Sequence, residues 1–81
     1  MKIPRDLGGD ELARALRKYG YVITRQVGSH MRLTTEQRGE HHITIPRHDP
    51  LRLGTLNSIL KDVAEHLGMS RDQLIDSLFG K

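Results

Sequence analysis

The sequence predicts an α+β fold, a three-stranded antiparallel meander with its helices packed on one face. Three observations carry that expectation. Stretches at 21–27, 30–35 and 41–45 are rich in β-branched residues and are separated by short polar turns. A helical stripe precedes them and a stronger one follows from residue 55. The order is therefore α-β-β-β-α, with a further short helix at the end.

Each element has its own justification. Asp10 is positioned to cap a first helix reaching Tyr19, in which Leu12, Ala15, Leu16 and Tyr19 form one apolar stripe. Arg17 and Lys18 suit its C-terminal dipole, and Gly20 stands where the chain must leave the helix. In the first strand, Tyr21, Ile23 and Val27 share one parity. Gly28-Ser29 is a tight-turn signal, so 30–35 should pair antiparallel with 21–27. Met31 and Leu33 then alternate with His30, Arg32 and Thr34, and an inward apolar parity turns His30 and Arg32 outward together. Glu36, Gln37, Arg38 and Gly39 make the next turn. In the third strand Ile43 and Ile45 face inward, and Pro46, which has no N–H for the ladder, closes it.

Residues 47–53 contain Pro50 and no periodicity, which reads as a loop. Thr55 is the expected cap of a second helix carrying Leu56, Ile59, Leu60, Val63, Ala64 and Leu67, and Gly68 ends it. Ser70 with Gln73 is a capping-box pattern before Leu74, Ile75, Leu78 and Phe79. The unused sheet face would carry His30, Arg32, His42 and Thr44, all polar, and an antiparallel sheet can leave such a face in water.

With 81 residues, the expectation is one domain over 1–81, of which 68–81 form a C-terminal helical extension. A chain near this length buries only ~60% of its extended surface, so its site should be a shallow surface feature. There is no cysteine, which excludes disulfides and thiolate metal sites. No apolar run approaches the ~18 residues of a membrane span, and 1–10 lack the apolar core of a leader. A cytoplasmic protein without membrane contact is expected. Residues 1–53 hold ten basic and six acidic side chains, whereas 54–81 hold three basic and four acidic. A basic front suits a polyanion, although a solvated surface with no partner explains the charge equally well.

His30 is the first candidate for chemistry. Histidines titrate near pH ~6.5 and exchange protons at neutral pH without special tuning. His30 opens a strand after a glycine turn, and Arg25 and Arg32 flank it in sequence. Arginines clamp phosphates bidentately, and a base beside a phosphate clamp is the minimum needed for attack of an RNA 2′-hydroxyl on its own phosphodiester. The competing reading is an exposed polar residue on a wet strand. His41 and His42 are neighbours on a strand and point to opposite faces, and no metal-ligand spacing exists, so no metal site is expected. His48 is either a second acid, base or phosphate contact or an ordinary loop histidine. His66, in the last turn of the second helix, reads as structural.

Arg47, His48 and Arg52, with Gly54 and the helix start around Thr55, form a second candidate anion site, against the alternative of an ordinary capped helix. There is no glycine-rich nucleotide loop, no serine elbow and no carboxylate pair at helical spacing in an apolar setting, which argues against nucleotide hydrolysis and serine chemistry. The three aromatics (Tyr19, Tyr21, Phe79) fit core positions, so base stacking is weakly supported.

Several short runs resemble a family. They are Gly20-Tyr21, then Arg25-Gln26-Val27-Gly28-Ser29-His30, then Thr44-Ile45-Pro46-Arg47-His48, then Leu53-Gly54-Thr55-Leu56 with Ile59-Leu60-Lys61. In this order they resemble the HicA toxins over residues 9–67. The resemblance implies a double-stranded-RNA-binding-domain-like fold and the toxin of a type II toxin–antitoxin system, a metal-independent endoribonuclease that cleaves mRNA. It puts the single catalytic histidine at His30; the residues around it expected to bind RNA and phosphate, from charge and placement, are Arg25, Ser29, Arg32, Arg47 and His48. It further implies a HicB-type antitoxin that blocks the site, and no small-molecule cofactor. The alternatives are a non-catalytic RNA-binding module of the same fold and a degenerate toxin that only binds its antitoxin.

Overall fold

The computed structural model describes residues 3, 4 and 6–80. Lys2, Arg5 and Lys81, counted in the charge balance, lie outside the described residues. Helix α1 spans Gly9–Ala15 and tightens into a 3-10 turn over Leu16–Tyr19. Strands β1 (Val22–Val27), β2 (His30–Thr35) and β3 (His41–Pro46) follow, then helices α2 (Leu53–Leu67) and α3 (Arg71–Phe79). The strands form one antiparallel sheet in the order β1-β2-β3. This is the expected α+β meander, consistent with a double-stranded-RNA-binding-domain-like fold.

Alternation decides which sheet face is covered. Met31, Leu33 and Thr35 of β2 and Ile43 and Ile45 of β3 are buried on one face. Against them lie Leu12, Ala13 and Leu16 from the first helical segment and the stripe Leu56, Ile59, Leu60, Val63, Ala64 and Leu67 of α2. Leu74 and Ile75 of α3 join the same core. The α3 start is the expected capping box: the Gln73 N–H donates to Ser70 Oγ at 3.0 Å, and Ser70 N–H donates to Gln73 Oε1 at 2.8 Å. Gly20 and Gly68 end their helices in the left-handed region, at φ of 83° and 73°.

Three expectations need correction. Asp10 is not the cap of α1. Gly8 is, and its N–H donates to Glu11 Oε1 at 2.9 Å. The helix starts earlier because Gly9 packs against the end of β3, where an added Cβ would sit 2.1 Å from the Pro46 carbonyl oxygen. Only a glycine permits that approach. Nor does Thr55 cap α2. The helix opens at Leu53, with Arg52 as its N-cap residue and no side-chain cap bond. Its first hydrogen bond runs from Leu56 N–H to the Arg52 carbonyl at 2.9 Å, and Thr55 lies inside the first turn.

The third correction concerns β1. The single parity of Tyr21, Ile23 and Val27 is broken, because the register shifts between Ile23 and Arg25. Tyr21 is buried and Ile23 pairs with Leu33 on the helix side, whereas Val27 pairs with His30 on the open side. The extra residue, Thr24, makes a bulge that flips the strand's alternation. Because β1 is an edge strand, even its helix-side Ile23 stays 52% exposed, beside the open-side Val22 at 51% and Val27 at 60%.

Candidate functional site

The open sheet face is laid out in rows. Val27, His30 and Pro46 lie side by side, then Arg25, Arg32 and Thr44, then Val22, Thr34 and His42. His30 and Arg32 thus share a face as expected, one row apart. Counting parity alone sets Arg25 on the Ile23 side, facing the helices. The bulge at Thr24 turns it over and places it directly across from Arg32. Like charges directly opposed on a sheet are destabilising. Among the described residues no acidic side chain is paired with either arginine.

Local chemistry explains why these side chains stand where they do. Gly28 takes φ of 58°, which lets the chain reverse within the two residues Gly28 and Ser29 and bring His30 back beside Val27. The Ser29 carbonyl accepts from Arg47 N–H at 2.6 Å, tying this turn to the chain after β3. Thr24 Oγ1 lies 2.9 Å from Thr34 Oγ1, which lies 2.8 Å from His42 Nδ1, and His42 Nε2 reaches Glu40 at 2.9 Å. That chain of contacts crosses all three strands and engages both nitrogens of His42. It leaves His30 and the two arginines as the titratable groups of the face with no side-chain partner among the described residues.

Other expected site residues lie apart. Arg47 binds Asp10 through two parallel contacts, Nε to Oδ1 at 3.0 Å and its terminal nitrogen to Oδ2 at 3.1 Å. Its guanidinium is therefore committed to α1. The His48 side chain is exposed, and its carbonyl accepts from Gly9 N–H at 2.9 Å. Arg52 and Arg47 are not joined by any hydrogen bond or ion pair to a common centre. His41 faces the helices: its Nδ1 lies 2.6 Å from the Tyr21 hydroxyl, its Nε2 faces Asp62 at 3.2 Å, and its ring stacks on His66 with centroids 4.3 Å apart. Burial, with a smaller push from the Asp62 carboxylate, raises the Tyr21 phenol to about 12. His66 Nε2 lies 2.9 Å and 3.1 Å from the carbonyls of Gln37 and Gly39, holding the β2–β3 turn to α2. This set of contacts, of which only Tyr21 is buried, has no signal in the sequence, because its members lie some 20 residues apart.

Among the described residues, no three His, Asp or Glu side chains are grouped to hold a metal ion. None of the described helices is long and apolar enough to cross a membrane.

The model of one protein family, described as the HicA toxin of bacterial toxin–antitoxin systems, matches residues 9–64. The chain belongs to the HicA toxin family. The match spans α1, the whole sheet and most of α2, so the rows of the open face lie inside it and α3 lies outside. No curated protein and no solved structure matches the chain significantly. Family membership makes this HicA chain a toxin of a toxin–antitoxin system, in a family of ribonuclease toxins.

Proposed function

We propose that this HicA-family chain is a metal-independent endoribonuclease that cleaves mRNA on its open sheet face, with His30 as the catalytic residue. One observation carries the reading: an uncommitted histidine shares an exposed face with two opposed arginines that lack an acidic partner. Two guanidinium groups carried by directly opposed residues answer to an anion, and a phosphodiester supplies one.

In this mechanism Arg25 and Arg32 take the non-bridging oxygens of one phosphate and stabilise the charge that builds there in the transition state. The His30 imidazole accepts the proton of the adjacent 2′-hydroxyl. That oxygen attacks phosphorus, the bond to the 5′-oxygen breaks, and the departing oxygen takes a proton from solvent. The products are a 2′,3′-cyclic phosphate and a 5′-hydroxyl. Ser29 borders the phosphate from the turn. His48 contacts RNA from the segment after β3, and Arg47 does so only on leaving Asp10. A HicB-type antitoxin is the protein partner that holds this activity in check.

The test is His30→Ala. His30 is exposed and adds nothing to the core, so the variant should fold and bind RNA with the wild-type salt dependence while losing cleavage. Wild-type cleavage should persist in a chelator and leave cyclic phosphate ends. Full cleavage by His30→Ala would remove His30 from the mechanism. Wild-type RNA binding with no cleavage at high protein concentration would leave only a binding module.

A further inference from the structure

β1 is paired on one side only. β2 takes that side, and no backbone group of β1 bonds elsewhere among the described residues. The two-residue turn makes Val27 and His30 a hydrogen-bonded pair, so by alternation Gln26 directs its N–H and C=O to the open edge. An open edge is a template for another strand. The bulge at Thr24 and the charge on Arg25 interrupt this one without covering it.

Beside the edge, a groove of about 530 Å³ runs between β1 and α1. Its apolar lining comes from Ala13, Tyr21, Val22 and Ile23, and its charged lining from Asp10, Arg14 and Arg17. Asp10 is already paired with Arg47, so the charge left free is cationic. Arg14 and Arg17 have no ion-pair partner among the described residues. Unpaired backbone, half-exposed aliphatics and unpaired arginines together describe their complement: an extended segment, apolar toward the groove and acidic around it.

We infer that the open edge of β1 and the groove beside α1 take an acid-rich extended segment of the protein partner as a fourth strand of the sheet. Backbone hydrogen bonds to the Gln26 region supply the pairing, and aliphatic side chains cover Ile23 on the helix side and Val22 on the open side. Carboxylates reach Arg14 and Arg17 on the helix side and Arg25 on the open side. A second copy of this chain does not fit, because edge-to-edge pairing would bring two sets of these arginines together. An RNA strand would meet the arginines but leave the strand's amides unpaired and the aliphatics exposed. The inference rests on reading the chain as a toxin with a protein partner.

The probe is a fluorescent decapeptide of paired glutamates and valines, Glu-Glu-Val-Val-Glu-Glu-Val-Val-Glu-Glu, which sets both residue types on both faces of an extended strand, with its lysine counterpart and oligouridine beside it. Anisotropy gives the affinity, and backbone-amide NMR gives the site. The glutamate peptide should shift the amides of Val22 to Val27 together with Arg14 and Arg17, and the lysine peptide should not bind. Arg14→Glu combined with Arg17→Glu should weaken the glutamate peptide by about tenfold or more. Gln26→Pro, which removes an outward N–H that an edge strand can lose, should weaken it too. No shift in β1, equal binding of the lysine peptide, or oligouridine moving the groove amides in its place would each overturn the inference. Peptide binding without RNA cleavage would overturn only the catalytic reading, and cleavage without peptide binding only the docking one.

Discussion

Replacing Arg32 with glutamine should stabilise the fold and weaken RNA binding at once. Arg32 stands directly across from Arg25 on an exposed face, with no acid paired to either. Two unit charges roughly 7 Å apart in water repel by about 0.6 kcal/mol. Opposed cross-strand pairs of like sign fall in the same range of about 0.2–1 kcal/mol. Salt near 0.15 M, with a screening length of about 8 Å, should remove much of this, so the gain belongs to low ionic strength. Arg25→Gln should give the same gain. Either change alone relieves the repulsion, so the double variant should add little to the single ones, and the coupling in a double-mutant cycle measures the repulsion itself. Urea melts at low and at physiological salt read the stability. The slope of log affinity for single-stranded RNA against log salt should become shallower by about 0.7 for each arginine removed. Single variants that destabilise, or effects that simply add, would refute the opposed geometry. A stability gain with unchanged RNA affinity would move the RNA to another surface.

Two further outcomes test the fold beneath the face. Leu33 is fully buried at the middle of the central strand, so Leu33→Ala should cost about 2–5 kcal/mol in a thermal or urea melt, and a loss below about 1 kcal/mol would mean the sheet is not packed as described. The Tyr21 phenol, raised to about 12 by burial, should ionise about two units later than a free tyrosine when followed by ultraviolet absorbance in a Tyr19→Phe background. Below pH ~10 the phenol is protonated in both states, so the shift removes no stability there; between ~10 and ~12 only the unfolded chain ionises, and stability falls as pH rises. A Tyr21→Phe variant should lose that phase of the alkaline decline.

Periodicity made most of the fold legible. The α2 stripe and the β2 alternation are read directly from spacing, and the Ser70–Gln73 box marks the start of α3 where the structure has it. Helix starts were less legible, because a polar side chain near the start looks like a cap whether or not it is one. Asp10 looked like a cap and is instead the partner of Arg47, a contact 37 residues away that no local pattern announces. The face of His30 and Arg32 was readable because β2 is regular and central. The position of Arg25 was not, since a bulge depends on how two strands settle against each other. The exposure of β1 was likewise not legible: aliphatic content marks a strand, but only topology says whether it lies at an edge.

The bulge ties the two proposals on this sheet together. Arg25 is half of the phosphate clamp only because Thr24 flips it to the open face, and it is also the charged residue of that face on the edge strand. A strand added to β1 would lie about 4.8 Å beyond it, with alternate side chains on the same face as Arg25. A carboxylate there competes with the phosphate for Arg25. Such a strand would therefore disarm the clamp without covering His30. Arg25→Gln distinguishes this route from simple occlusion of the histidine. If inhibition runs through Arg25, the variant that already lacks the charge should retain weak cleavage that the glutamate–valine peptide no longer suppresses. If the partner acts only by covering His30, suppression by peptide should be as complete in the variant as in the wild type.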